Sequence, residues 1–141
     1  MAGFFDKAAD VWAGKKADNA GLVVEVQRLG SLPLPAVAEE AMTRGFGADG
    51  PAADGRYATM TAIQTAFAAR FAGRDIDEAA YEQLCEIVAE GVQVLEHACL
   101  VRQSLSGTGG DQGVHYELVW SATRRGRTAL DRGWVERELA A

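Results

Sequence analysis

What the chain has little of narrows its class before any motif is read. Only two cysteines and three prolines occur in 141 residues. Cys85 and Cys99 stand fourteen apart in what reads as one helix. That is about 21 Å of rise, too far for a disulfide between them, so buried free thiols are expected. No apolar run approaches the ~20 residues that a membrane span requires. The start, MAGFFDKAADVW, lacks the basic residues and continuous apolar stretch of a secretion signal, which makes the cytoplasm the expected compartment. Basic charge is scarce as well: the net charge is −6 at pH 7, and all of the excess acidity lies upstream. Residues 1–98 hold 8 Lys/Arg against 15 Asp/Glu, whereas residues 99–141 hold 6 against 5. Phosphate binding is driven by basic groups, so a nucleic-acid site on such a chain has to be local.

What is present fits one domain over residues 1–141. Hydrophobic residues make up 48% and charged residues 24%, the balance of an ordinary globular protein. Phe4, Phe5, Ala8, Val11 and Trp12 form an amphipathic stripe over 1–14. Leu22, Val23, Val26 and Leu29 form a second stripe and Val37, Ala38, Ala41 and Met42 a third, with Gly30 placed as a C-cap and Pro35 in a first turn. GADGPAADG, residues 47–55, has only turn-forming and small residues and reads as a mobile surface loop. A helix over 57–72 turns Met60, Ile63, Phe67 and Phe71 inward. Asp75 and Glu78 are placed as a capping box for a long helix with Tyr81, Leu84, Cys85, Val88, Val92, Leu95 and Cys99 on one stripe.

From Leu100 the period changes to that of strands. LVRQSL, a Gly-rich loop SGTGGDQG, and VHYELVW read as a hairpin in which Val114, Tyr116, Leu118 and Trp120 form the half-buried face. Ser121 or Thr123 then caps a last helix with Leu130, Trp134 and Leu139 inside. The fold class is α+β, mainly α, with five or six helices and a small antiparallel hairpin, and residues 75–131 supply helix plus wing.

The long helix ending in LEHACLVRQS, the loose hairpin, VHYELVW and the run T-R-R-G-R-T-A-L together resemble the winged-helix architecture of bacterial MarR-like and HxlR-like regulators, over about residues 91–131. Thr123, Gly126, Arg127 and Leu130 fall at the motif's positions. Ala122 stands where the family has Leu, and Ala98-Cys99 where it has a glycine. The resemblance implies a helix cap, a close helix–strand approach and a packed leucine; it also implies a homodimer, here through the terminal helices and their tryptophans. In that architecture the helix before the wing enters the major groove, yet residues 75–101 hold Asp75, Asp77, Glu78, Glu82, Glu86, Glu90 and Glu96 and no Lys or Arg. Groove reading by that helix is therefore not expected.

Two binding readings follow. In the first, a transcriptional regulator contacts DNA through Arg56, Thr59, Gln64, Arg70, Arg102, Arg124, Arg125 and Arg127. In the second, a protein-interaction adaptor presents Glu78, Glu82, Glu86 and Glu90 to a basic partner. The ordinary reading of these arginines is surface charge. No enzyme, metal or cofactor is expected. Gly107, Gly109, Gly110 and Gly113 lack the Lys-Ser/Thr of a phosphate loop, His97 and Cys99 do not make a zinc spacing, and His115, Glu117, Ser104 and Ser106 announce no triad.

Overall fold

The computed structural model describes residues 21–71, 77–111 and 113–140. The expected stripe at 1–14 and Asp75 lie outside these residues, and so does the side chain of Arg70. Helix α1 spans 21–31 and buries Leu22, Val26 and Leu29. Gly30 falls inside it rather than beyond its end. Helix α2 (Leu34–Ala41) follows Pro33, with Pro35 in its first turn, where a missing N–H leaves nothing unsatisfied. Val37, Ala38, Ala41 and Met42 are all buried, as their spacing predicts.

Among the described residues one acid is also buried. Glu25 on α1 accepts from the guanidinium of Arg28, which also donates to Glu40 on α2 at 2.8 and 3.0 Å. Arg44 adds a second cation, 3.4 Å from Glu40, and lies over the Phe67 ring at 4.8 Å. The two carboxylates raise the pKa of the Arg28 guanidinium still further above its ordinary value, Glu25 most of all. A carboxylate is tolerated at the edge of the core because two cations, shared with a second carboxylate, pair with it.

Residues 42–55 depart from the sequence reading. Helix α2 continues as a wider π turn over Met42–Phe46, and the expected mobile loop packs: Ala52 and Ala53 are buried, and Ala52 N–H donates to the Gly45 carbonyl at 2.9 Å. Small residues here serve close packing, because a backbone with no bulky side chain can lie directly on a neighbouring helix. Helix α3 (Met60–Ala68), tightened over Ala69–Phe71, begins three residues later than expected. Thr59 is its N-cap, accepting from Ala62 N–H at 3.2 Å, and Ala58 is taken by the sheet.

Helix α4 (Glu78–His97) is the central element, burying Leu84, Val88, Val92 and Leu95 against α2 and α3. Its cap is Asp77, whose carboxylate accepts from Ala79 and Ala80 N–H at 3.0 and 3.2 Å; this replaces the expected box. Cys99 lies beyond the helix, not on its stripe. It sits in the left-handed region with φ 61°. Cys99 N–H donates to the Glu96 carbonyl and Leu100 N–H to the Leu95 carbonyl, both at 2.9 Å, and Leu100 is fully buried. This paired closure, with an apolar residue tucked behind it, is the ending for which glycine is the usual left-handed residue.

Strands β1 (Val101–Gly110) and β2 (Gly113–Ala122) are antiparallel, with Val101 opposite Ala122 and Gly110 opposite Gly113. Most of the expected loop at 106–113 is thus strand. The sheet has a third member: Ala58 pairs with Trp120 through bonds of 3.0 and 2.8 Å, so the sheet is not a hairpin of two. The half-buried face holds only at the base. Trp120 is buried, but Leu105, Leu118, Tyr116 and Val114 are 68%, 49%, 67% and 57% exposed, because the ribbon projects beyond the helices that cover its base.

Helix α5 (Arg124–Arg132) is capped by Thr123, which accepts from Gly126 N–H at 3.0 Å. Its hydroxyl also donates to the Cys99 carbonyl at 2.7 Å, while Thr123 N–H donates to Leu100 at 3.0 Å. A Cβ on Gly126 would stand 1.9 Å from the Leu100 carbonyl oxygen. Helix α6 (Val135–Ala140) follows a left-handed Gly133. Leu130, Trp134 and Leu139 pack against the chain's own core.

The described residues thus make a mainly helical α+β unit of six helices and a small three-stranded antiparallel sheet, compatible with a winged helix. Two substitutions test its central junction. Cys99→Gly removes a left-handed Cβ and should stabilise the protein by about 1 kcal/mol in urea unfolding. Gly126→Ala forces the helix off the strand and should cost about 3 kcal/mol. Equal, small effects would contradict the junction.

Candidate functional site

The expected DNA-contacting residues separate into two groups. Thr59 is occupied as a helix cap, Gln64 Nε2 donates to the Cys85 carbonyl at 3.0 Å and ties α3 to α4, and Arg125 Nε donates to Glu138 at 2.7 Å and ties α5 to α6. These three are structural ties. Arg132 and Arg137, also on the closing helices, each lie 4.9 Å from the Trp134 ring centre.

Arg56, Arg102, Arg124 and Arg127 are exposed, and none has an ion-pair partner among the described residues. The fold brings two of them, Arg127 and Arg102, beside the strap that carries Arg56. The strap at residues 55–57 enters the sheet at Ala58. Beside Gly55 lies the Arg127 guanidinium: a Cβ there would meet Nη1 at 2.9 Å. Beside Tyr57 lies Arg102, whose Nη2 donates to the phenol oxygen at 3.4 Å. Arg56 stands between the two contacts. Arg124 is one turn from Arg127 on α5, whose first turn contains no acid. Cations at a helix N-terminus oppose the helix dipole, and here they also repel one another. Tyr57, which links strap to ribbon, was absent from the expected set. Its signal is an aromatic next to a one-residue strand, too short to show a period.

The acidic helix is less uniform than its sequence. Asp77 is a cap and Glu96 accepts from Trp120 Nε1 at 2.8 Å, fixing the base of β2 to α4. That leaves Glu78, Glu82, Glu86 and Glu90, all exposed and spaced by four along one face, with no ion-pair partner among the described residues. Like charges at that spacing cost roughly 0.2–0.5 kcal/mol per pair. On the same helix Cys85 is half-buried, and burial pushes its thiol pKa up, against a hydrogen bond with Tyr81 that lowers it.

Among the described residues there is no cluster of His, Cys, Asp and Glu able to hold a metal, and no helix long and apolar enough to cross a membrane. No protein-family model, no curated protein and no solved structure matches the chain.

The thiols are expected to differ in reactivity. Cys99 is exposed, contrary to the expectation of two buried thiols. With iodoacetamide at pH 8 it should be modified first, and Cys85 rapidly only after denaturation; peptide mapping showing equal rates would contradict the placement.

Proposed function

We propose that the protein is a non-enzymatic binding module of winged-helix type, a transcriptional regulator that holds nucleic-acid phosphates with Arg56, Arg102, Arg124 and Arg127 and does not read bases with α4. The observation that carries this reading is that two unpaired guanidiniums, Arg127 beside Gly55 and Arg102 beside Tyr57, flank the strap that holds Arg56, on a chain whose net charge is −6. Isolated surface arginines would scatter or pair, whereas these come from three separate elements and stay unpaired. The kinship with MarR-like and HxlR-like regulators is supported by the Thr123 cap, the Gly126 approach and the sheet joined by Ala58. A regulator of this kind works as a homodimer on a paired site. With Trp134 and Leu139 packed on the chain's own core, a second copy would dock elsewhere than on that stripe.

A second reading has its own observation. Four exposed glutamates on α4 and an apolar ribbon face, Leu105, Val114, Tyr116 and Leu118, suit a basic protein partner with an apolar centre.

Fluorescence anisotropy with mixed-sequence duplex DNA separates the two. The phosphate reading predicts binding at 50 mM salt with a log–log salt slope of about −3 to −4. It also predicts that Arg56→Ala, Arg124→Ala and Arg127→Ala each flatten the slope by roughly one. No binding at 50 mM salt overturns it. Capture of a basic partner that is lost in Glu82→Lys and Glu86→Lys would then favour the adaptor.

A further inference from the structure

We infer that the cleft between the π turn of α2, the 53–55 turn and the α5–α6 elbow binds a small zwitterion: a molecule with a carboxylate, an ammonium and an apolar body, such as a bulky apolar amino acid or a dipeptide. The cleft measures about 650 Å³, within the range of small-molecule sites. Its apolar lining is formed by buried Phe46 and Val135 with half-buried Leu130.

Its lining also carries charge of both signs. Arg127 is the one cation among the lining residues, and Glu39, Asp54 and Asp131 are the anions. Asp131 follows Arg127 by four residues on α5, the spacing at which such side chains commonly pair. They do not pair here. The Arg127 guanidinium instead lies along Gly55, where a side chain would collide with it at 2.9 Å. The carboxylates of Glu39, Asp54 and Asp131 have no ion-pair partner among the described residues. A cation, separate carboxylates and apolar residues on one lining match a ligand's carboxylate, ammonium and side chain. A simple anion or a hydrocarbon would engage only part of this lining.

Binding is read without nucleic acid, so its failure is distinct from failure of the phosphate reading. The probes are L-phenylalanine, its amide, 3-phenylpropionate and the dipeptide Leu-Leu, each at 10 and 50 mM, with thermal unfolding of the full chain as readout. Phenylalanine or the dipeptide should raise Tm by about 3 °C or more, while the amide and the deaminated acid should do markedly less. Arg127→Gln should remove the advantage over the amide, and Asp54→Asn with Glu39→Gln the advantage over 3-phenylpropionate. Should a variant fold poorly, chemical-shift changes at Phe46, Leu130 and Val135 in the wild-type protein decide the matter. No shift at 50 mM with any probe, or equal shifts with all four, overturns the proposal.

Discussion

The contact on which the rest of the structure depends is the meeting of three chain segments at one carbonyl. Leu100 ends the closure of α4 and turns into β1; its carbonyl accepts from Thr123 N–H, and Gly126 lies so close that a side chain there would overlap it. Thr123 adds a bond to the Cys99 carbonyl and caps α5 with the same hydroxyl. The end of the long helix, the base of the sheet and the start of the closing helix are thereby locked within one turn. Trp120, held by Glu96 on one side and Ala58 on the other, extends the lock to the strap that leads into α3. The positions of Arg102, Arg124 and Arg127 relative to Arg56 follow from it.

The charges are arranged around that junction in opposite senses. Glutamates face outward along α4, while the unpaired Arg127 and Arg102 lie beside the strap on the α5 and sheet sides. Where a cation has a structural task it is neutralised or stacked, as Arg28, Arg125, Arg132 and Arg137 are. The division between occupied and unoccupied guanidiniums, more than the net charge, is what gives the phosphate reading its force. A net acidic protein binds a polyanion only where its cations are close enough together to displace counterions jointly.

Much of the fold was legible in the sequence because helix faces leave a period. The stripes on α1, α2 and α4 are buried at their centres, though Cys99 falls off the last of them, and T-R-R-G-R-T-A-L marks the Thr123 cap and the Gly126 approach. Other features left no period to find. The 47–55 segment packs through alanines and glycines whose composition reads as loop, and the third strand is a single residue. Tyr116 and Leu118 alternate correctly yet lie beyond the helices that would cover them. The site was legible only as a list of residue types. That Arg125 and Gln64 make ties between helices, while Arg127 lies beside Gly55, depends on distances between elements far apart in sequence.

Native-state hydrogen exchange tests the central junction most directly. The amides of Ala58, Leu100, Trp120 and Thr123 should exchange only on global unfolding, while ribbon amides between Leu105 and Leu118 open locally and exchange far faster. If the junction amides exchange at the rate of the ribbon tip, the three segments are not locked together and the arginine cluster has no fixed frame.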